Sequence, residues 1–240
     1  MTQPPTAADF ENAGFHERAI LQTWFSPAFP IGGFAYSQGL ETAAASGLLS
    51  DEAGLLEWLT TLIQQGAISN DLILAASAWR AGEGRCWPGL DEAVELAAAL
   101  QPSAERRHET LTQGASFLQA VSASWPCAAL AEALECVSES GGIAYPVAAG
   151  LAGTAHGLRL RPLLEALALS FISAQVSAAI RLGVIGQTAG QRIIASLLPA
   201  IGAAAARASA ATLENLGGAC LSADLCTMEH ETLHTRLFRT

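Results

Sequence analysis

Apolar residues recur at helical spacing along most of this chain. After Ser50-Asp51-Glu52, aliphatic side chains follow an i, i+3, i+4, i+7 pattern at Leu55, Leu56, Leu59, Leu62 and Ile63. The longest apolar strip runs from Arg161 to Leu182 and predicts a helix at the centre of the domain. No segment of useful length alternates apolar and polar residues with period 2. We therefore predict an all-α, single-domain bundle of about ten helices.

Helix start signals, prolines and glycines place the ends of these elements. Ser50-Asp51-Glu52 and Ser103 mark helix starts, Gly66 marks an end, and Pro199 predicts a kink in the last long helix. The predicted helices cover residues 17–25, a stretch from 34 onward, 52–66, 72–79, 88–100, 103–121, 127–137, 146–158, 161–182 and 192–216. In the helix 146–158, the small residues Gly150, Gly153 and Gly157 predict that another backbone comes close.

Three regions follow from this pattern. Residues 1–16 are expected to be a flexible N-terminus, residues 17–216 the helical domain, and residues 217–240 a C-terminal docking tail. The tail ends in Leu237-Phe238, and apolar residues there predict docking either onto this chain or onto a partner.

The stretch from Ser26 to Glu41 holds the most specific residues of the chain. Pro27 and Pro30 fix the backbone, and Gly32-Gly33 permits angles that a side chain would forbid. We expect a turn here, followed by a helix that buries Phe34 and Leu40. The stretch is either an ordinary buried helix start or a site for an anion or a partner.

Composition excludes several classes of function. The formal charge is −10, and most acidic residues lie in the first 150 positions, so nucleic-acid binding is not expected. The chain has no lysine, which excludes a P-loop nucleotide site and Schiff-base chemistry. The charged cluster Glu105 to Glu109 is expected on the solvated face of its helix.

Cysteine usage and the apolar segments indicate the cellular compartment of the protein. Five cysteines without paired spacing fit a reducing compartment, and residues 1–13 lack an apolar signal core. Polar residues, Glu165 among them, interrupt the apolar strip 163–180, which favours a buried helix over a membrane span. We expect a cytoplasmic protein that binds no membrane.

Two metal hypotheses concern the tail. His230-Glu231-Thr232-Leu233-His234 matches the H-E-x-x-H pattern of zinc peptidases, but no residue after His234 can supply a third ligand. A non-catalytic alternative uses the C-x5-C-x3-H-x3-H spacing of Cys220, Cys226, His230 and His234. The alternative to both hypotheses is an ordinary helical turn without a metal. We expect neither a metal site nor a catalytic site here.

Several blocks of the sequence resemble those of the urease accessory protein UreF. The first is Ser26-Pro27 with Pro30 to Glu41, and the last is Met228 to Thr232 with Arg236-Leu237-Phe238. Between them lie Ala144 to Val147 with Gly150, and Ala178 to Leu182 followed by Gly186 to Gln191. The resemblance covers the chain from about Trp24 to Thr240. One departure is His234, where an aromatic residue is usual in the family.

The resemblance implies an all-α adaptor with no catalytic activity and no cofactor. Such proteins join UreD (also called UreH) and the GTPase UreG on the urease apoprotein, help to deliver nickel to it, and form homodimers. Tyr36, Ser37, Gly39 and Glu41 would then face UreG or urease, and Arg181, Gln187 and Gln191 would brace the turn before the last long helix. The contacts to UreD would come from His230, Glu231, Arg236, Leu237 and Phe238.

Overall fold

The computed structural model describes residues 7–137 and 141–239, with side chains described from residue 14 onward. Within these ranges the chain forms eleven α-helices, two short 3-10 helices and no strand. The prediction of an all-α bundle of about ten helices is confirmed. The α-helices are α1 (Ala7–Trp24), α2 (Leu40–Ala45), α3 (Glu52–Gln65), α4 (Ala67–Gly84), α5 (Trp87–Ala99), α6 (Ala104–Ser124), α7 (Ala128–Cys136), α8 (Tyr145–Ala155), α9 (Leu160–Arg181), α10 (Gln187–Ala210) and α11 (Leu221–His230). The 3-10 helices are Gly33–Ala35 and Leu213–Asn215.

Polar caps start two of the helices where the sequence predicted a start. Asp51 accepts a hydrogen bond from the Gly54 N–H at 2.8 Å, and Ser103 accepts one from the Arg106 N–H at 3.2 Å. Each bond satisfies a donor that has no partner within its own helix. α3 ends at Gln65, immediately before Gly66, as predicted.

Helix ends without such signals were placed less well. α1 begins at Ala7, inside the segment predicted to be flexible, whose first six residues lie outside the described ranges. α10 was predicted to begin at Arg192 but begins at Gln187, directly after Gly186, which is in an extended conformation. It stops at Ala210, and a short 3-10 helix follows. Pro199 lies inside α10.

Helices α4, α8 and α9 form the centre of the bundle. Leu163, Leu164 and Leu167 of α9 are fully buried, which confirms the central position predicted for this helix. α8 lies so close to α4 that a Cβ on Gly150 would come within 2.1 Å of the Ala75 carbonyl oxygen. The predicted close backbone approach is therefore found at Gly150, whereas Gly153 faces the Leu163 side chain and Gly157 lies beyond the end of α8 with nothing within 4 Å of an added Cβ.

An aromatic cluster joins the N-terminal segment to this centre. The ring of Phe117 contacts those of Trp24, Phe25, Phe29 and Tyr145, with centroids 5.4–6.5 Å apart. Such contacts add to the free energy gained by burying the rings. The cluster holds the start of the stretch 26–41 against α6 and α8.

Two helices, α9 and α10, are long and apolar enough to cross a membrane by length and composition alone. In α9 more than half of the most apolar window is buried inside the bundle, as in the core helix of a globular domain. In α10 a third of that window is buried. Two such helices are weak evidence for a membrane protein.

Candidate functional site

The stretch 26–41 does not form the continuous helix predicted from Phe34 onward. Gly32, Gln38 and Gly39 have φ angles of 73°, 55° and 86°, and these left-handed residues interrupt any right-handed helix. Leu40 is fully buried as predicted, but Phe34 is 71% exposed, so its predicted burial is wrong. The Phe34 ring does not join the core and instead contacts Arg181, which is distant in sequence.

A buried network of polar side chains fixes the strained residue Gln38. Its amide donates to Glu109 at 2.8 Å and accepts from Gln175 at 2.9 Å. Glu109 also forms an ion pair with Arg106 and accepts from Gln113 at 3.0 Å. Arg106 and Glu109 are buried, so the prediction that this charged cluster is solvated is wrong for both. Each charge is balanced inside the fold, as buried charges require.

The carboxylate of Glu41 holds the C-terminal segment. It accepts hydrogen bonds from the backbone N–H of Leu237 at 2.6 Å and of Phe238 at 3.0 Å. A third backbone bond runs from the Arg239 N–H to the Ala35 carbonyl at 2.8 Å. The end of the chain therefore lies along the stretch 35–41.

His230 ties the same carboxylate to α6. Its Nε2 lies 3.1 Å from Glu41 and its Nδ1 lies 2.7 Å from Glu105, and the ring is fully buried. His230 thus bridges two acidic side chains that come from distant parts of the sequence.

The tail also engages the first turn of α6. Glu231 accepts hydrogen bonds from the N–H groups of Ala104 and Glu105, at 2.8 and 3.3 Å. Arg236 forms an ion pair with Glu105 and donates to the Glu231 carbonyl. A carboxylate at a helix N-terminus satisfies free donors and interacts favourably with the helix dipole.

Arg181, the last residue of α9, lies between two aromatic rings. Its guanidinium carbon is 3.7 Å from the ring centroid of Phe34 and 4.2 Å from that of Phe238. The guanidinium also donates to the Phe34 carbonyl at 2.7 Å. Burial lowers the pKa of Arg181, but a guanidinium stays charged at neutral pH. The cation therefore joins the exposed Phe34 to the buried Phe238.

Most of the residues predicted to bind partners meet in this one region, which we call the tail clasp. It comprises Tyr36, Ser37, Gly39, Glu41, Arg181, His230, Glu231, Arg236, Leu237 and Phe238. Tyr36, Ser37, Glu41, His230 and Phe238 are buried by the chain itself, whereas Leu237 is exposed. Gln187 and Gln191 are exposed on the first turns of α10 and take part in none of these contacts.

Sequence reasoning missed Gln38, Glu105 and Phe34 as members of this region. Nothing in the local pattern distinguishes Glu105 from an ordinary solvated helix residue. The one usable signal was the density of polar residues on the first turns of α6, where Arg106 and Glu109 proved to be buried.

The tail does not have the geometry of the H-E-x-x-H hypothesis. α11 ends at His230, so His234 lies beyond the helix, exposed, and does not share a helical face with His230. Burial raises the pKa of the Cys226 thiol, which disfavours the thiolate that a metal would need. Among the described residues no group of three or more His, Cys, Asp or Glu side chains could hold a metal ion.

α11 presents an apolar face to solvent. Leu221, Leu225 and Met228 follow each other at i, i+4 and i+7 and are 74%, 54% and 46% exposed. The opposite face carries the buried residues Ala223, Cys226, Thr227 and His230. On that side Gly39 touches the helix so closely that a Cβ there would lie 3.1 Å from the Thr227 nitrogen. One side of α11 is therefore fixed to α2, and the other is free to receive another surface.

Comparison with known proteins identifies the family. The UreF family model matches residues 49–198. The urease accessory protein UreF of Xanthobacter autotrophicus is 48% identical over 221 residues, covering 92% of this chain and 90% of the relative. That of Methylobacterium radiotolerans is 45% identical over 224 residues, covering 93% and 97%. For Bradyrhizobium sp. the identity is 43% over 237 residues, covering 99% and 96%. The chain belongs to the UreF family of urease accessory proteins.

Proposed function

We propose that this chain is a non-catalytic adaptor in nickel-dependent urease maturation. It bridges UreD (UreH), the GTPase UreG and the urease apoprotein, and it modulates GTP-dependent nickel insertion. It does so as a cytoplasmic homodimer, and the nucleotide chemistry belongs to UreG. The absence of lysine supports this division of labour, because a P-loop requires that residue.

The observation that carries the proposal is the outward apolar face of α11. Leu221, Leu225 and Met228 are exposed together on α11, the helix that ends at His230, where the residues assigned to UreD by the family resemblance begin. Helical anchors at i, i+4 and i+7 are the usual means by which an amphipathic helix binds a hydrophobic groove. We assign this face, together with the exposed Leu237, to the contact with UreD.

The tail clasp supports the same assignment in an indirect way. Glu41, His230 and Glu231 fix the tail to α2 and α6 through charged and backbone groups. A segment that is ordered before binding loses less conformational entropy when a partner arrives. The buried residues of the clasp then act by presenting α11, while Leu221, Leu225 and Met228 make the contact.

A pair of charge substitutions tests the UreD contact. Leu225→Arg places a charge in the centre of the exposed face, and we expect co-purification with UreD to fall by about tenfold or more. Leu198→Arg is the matched control, because Leu198 is 51% exposed on α10, away from the tail. Circular dichroism should show both variants folded. Equal recovery of UreD with wild type and Leu225→Arg would remove α11 from the interface.

Reconstitution tests the adaptor role itself. Urease apoprotein, UreD, UreG, GTP and nickel are combined with and without this chain, and urease activity is measured. We expect activation to depend on the chain and to be impaired by Leu225→Arg. Full activation in its absence would refute the proposal, and light scattering of the purified chain would test the homodimer.

A further inference from the structure

A cavity of about 510 Å³ lies between α1, the stretch 25–38, α6, α8 and α9. Its volume is in the range of pockets that hold small organic molecules. Four of its lining residues, Gln22, Pro27, Phe34 and Ala174, are exposed, so the space is open to solvent. A molecule can therefore enter it without unfolding of the bundle.

α9 forms one long wall of the cavity, and the polarity of this wall changes along its length. Its lining residues run from Ala166 and Leu169 to Ser177 and Arg181. At 1.5 Å of rise per residue, positions 166 and 181 lie roughly 22 Å apart along the helix axis. Because about 510 Å³ is spread over this length, the space is narrow and suits a single hydrocarbon chain better than a compact ring system. The facing walls are largely apolar and include Leu21, Phe25, Phe29 and Ile31.

Arg181 is the one charge at this cavity that no described side chain balances. Among the lining residues that the structure describes, only Arg181 and Glu109 carry a formal charge. Glu109 forms an ion pair with Arg106. Burial lowers the pKa of Arg181, and no neighbouring carboxylate raises it. A partly buried cation without a counter-charge favours an anionic occupant.

The contacts of the Arg181 guanidinium leave one nitrogen available. The rings of Phe34 and Phe238 lie against it, with centroids 3.7 and 4.2 Å from the guanidinium carbon. Nη1 donates to the Phe34 carbonyl at 2.7 Å, and Nε donates to the Ser177 carbonyl at 3.4 Å. Nη2 makes no hydrogen bond to any residue within the described ranges. Its N–H groups lie in the guanidinium plane, where carboxylates are bound.

From these observations we propose that the cavity binds a fatty acid, an unbranched hydrocarbon chain that ends in a carboxylate. The carboxylate accepts from Nη2 of Arg181, and the chain runs along α9 toward Ala166. A phosphate group would leave most of its oxygens unpaired, since Arg181 is the only cation among the described lining residues. The inference concerns binding by this chain alone and is independent of the role in urease maturation.

Isothermal titration of the full chain at pH 8 compares dodecanoate with hexanoate and with dodecyltrimethylammonium. We expect saturable binding of dodecanoate, about a hundredfold or more tighter than that of hexanoate, because each buried methylene adds to the affinity. Dodecyltrimethylammonium carries the same chain and the opposite charge, and it should bind at least about tenfold more weakly than dodecanoate. The net charge of −10 would favour the cation if binding were non-specific. No saturable binding of dodecanoate, or equal binding of the two head groups, would overturn the proposal.

Substitutions at Arg181 test the position of the carboxylate. Arg181→Gln removes the cation and should weaken dodecanoate binding by about tenfold or more, whereas Arg181→Lys keeps a charge and should retain more of the affinity. Arg207→Gln is the matched control, because Arg207 is exposed on α10 outside the cavity, and it should leave the affinity unchanged. Circular dichroism checks the fold of each variant. A folded Arg181→Gln protein that binds dodecanoate as tightly as the wild type would refute this site.

The other end of the cavity tests the path of the hydrocarbon chain. Ala166→Phe fills that end and should reduce the advantage of dodecanoate over hexanoate to less than about tenfold. Ala195→Phe adds the same ring on the exposed side of α10 and should leave the advantage unchanged. An undiminished advantage in a folded Ala166→Phe protein would show that the chain does not run along α9, and it would overturn the proposal.

Discussion

Glu41 holds the backbone N–H of Leu237 at 2.6 Å although 196 positions separate the two residues. The same carboxylate accepts from the Phe238 N–H and faces the ring of His230. Charge-assisted hydrogen bonds to backbone donors are roughly twice as strong as neutral ones. A single acidic side chain near the start of the bundle thus positions the end of the chain, and with it the face of α11 assigned to UreD.

Replacing this carboxylate should loosen the tail without unfolding the bundle. Glu41→Gln keeps the size of the side chain but turns one acceptor oxygen into an amide that cannot accept. We expect hydrogen exchange at the Leu237 and Phe238 amides to accelerate by about ten- to a hundredfold, since a charged hydrogen bond is worth roughly 1.5–3 kcal/mol. Mass spectrometry of the C-terminal peptide measures the rate.

Glu57→Gln serves as the control, because Glu57 is exposed on α3. It should leave the exchange of the tail unchanged. Tail amides that exchange in Glu41→Gln as slowly as in the wild type would show that Glu41 does not hold this segment.

The tail clasp also shows where reading the sequence succeeds and where it fails. Caps such as Asp51 and Ser103 act within one helical turn, so a local pattern suffices to predict them. The burial of Phe34 was predicted wrongly, because helical spacing cannot reveal that Gln38 takes a left-handed conformation supported by Glu109 and Gln175. Such support depends on tertiary contacts.

Motif position identified the members of the tail clasp but not their geometry. Tyr36, Glu41, His230 and Phe238 were singled out by resemblance as partner contacts, but all four are buried within the fold, and Glu41 contacts both His230 and Phe238. Glu105 carries no signal in its own segment, since its role follows from the return of the tail to α6. Information on long-range pairing is absent from any short window of sequence.

Close packing of α8 on α4 predicts a strong effect at Gly150. A methyl group there would lie 2.1 Å from the Ala75 carbonyl oxygen, so Gly150→Ala must push the helices apart. We expect the free energy of unfolding to fall by roughly 1–3 kcal/mol, the usual cost of overpacking a core. Urea denaturation followed by circular dichroism measures it.

Gly202→Ala is the matched control in α10, where nothing lies within 4 Å of the added carbon. This substitution should stabilise the protein by roughly 0.5–1 kcal/mol, because alanine favours the helix over glycine. Equal effects at the two positions would contradict the close approach of α8 to α4.

Asp71 on α4 predicts a pH dependence of stability. Burial raises the pKa of its carboxyl to about 7, with Arg106 opposing the shift and Glu109 adding to it. The native state therefore binds more protons than the unfolded state between about pH 4 and pH 7, so this group lowers stability as the pH rises through that window. Above pH 7 its contribution is constant.

Asp71→Asn should remove this dependence. Relative to the wild type, the variant should gain stability progressively from pH 4.5 to pH 7, by up to about 4 kcal/mol for a shift of this size. Urea midpoints at several pH values measure the difference, and Glu57→Gln on the exposed face of α3 should show no such trend. A constant difference between Asp71→Asn and wild type across the window would contradict the raised pKa.

The two tail histidines should behave differently when each is replaced by alanine. His230 bridges Glu41 and Glu105 in the interior, whereas His234 is exposed beyond the end of α11. His230→Ala removes the buried ring that lies between the two carboxylates, so we expect the free energy of unfolding to fall by roughly 1–3 kcal/mol and the tail to exchange faster. His234→Ala should change neither quantity.

Zinc and nickel titrations of the same two variants distinguish this structural role from a metal site. If His230 and His234 shared a metal ion, each substitution would weaken binding, because losing one ligand of a set lowers the affinity of the whole set. With His230 turned toward two carboxylates and His234 in solvent, the wild type and His234→Ala should bind either metal equally weakly. A loss of affinity common to both variants would restore the Cys/His site of the tail as the better explanation.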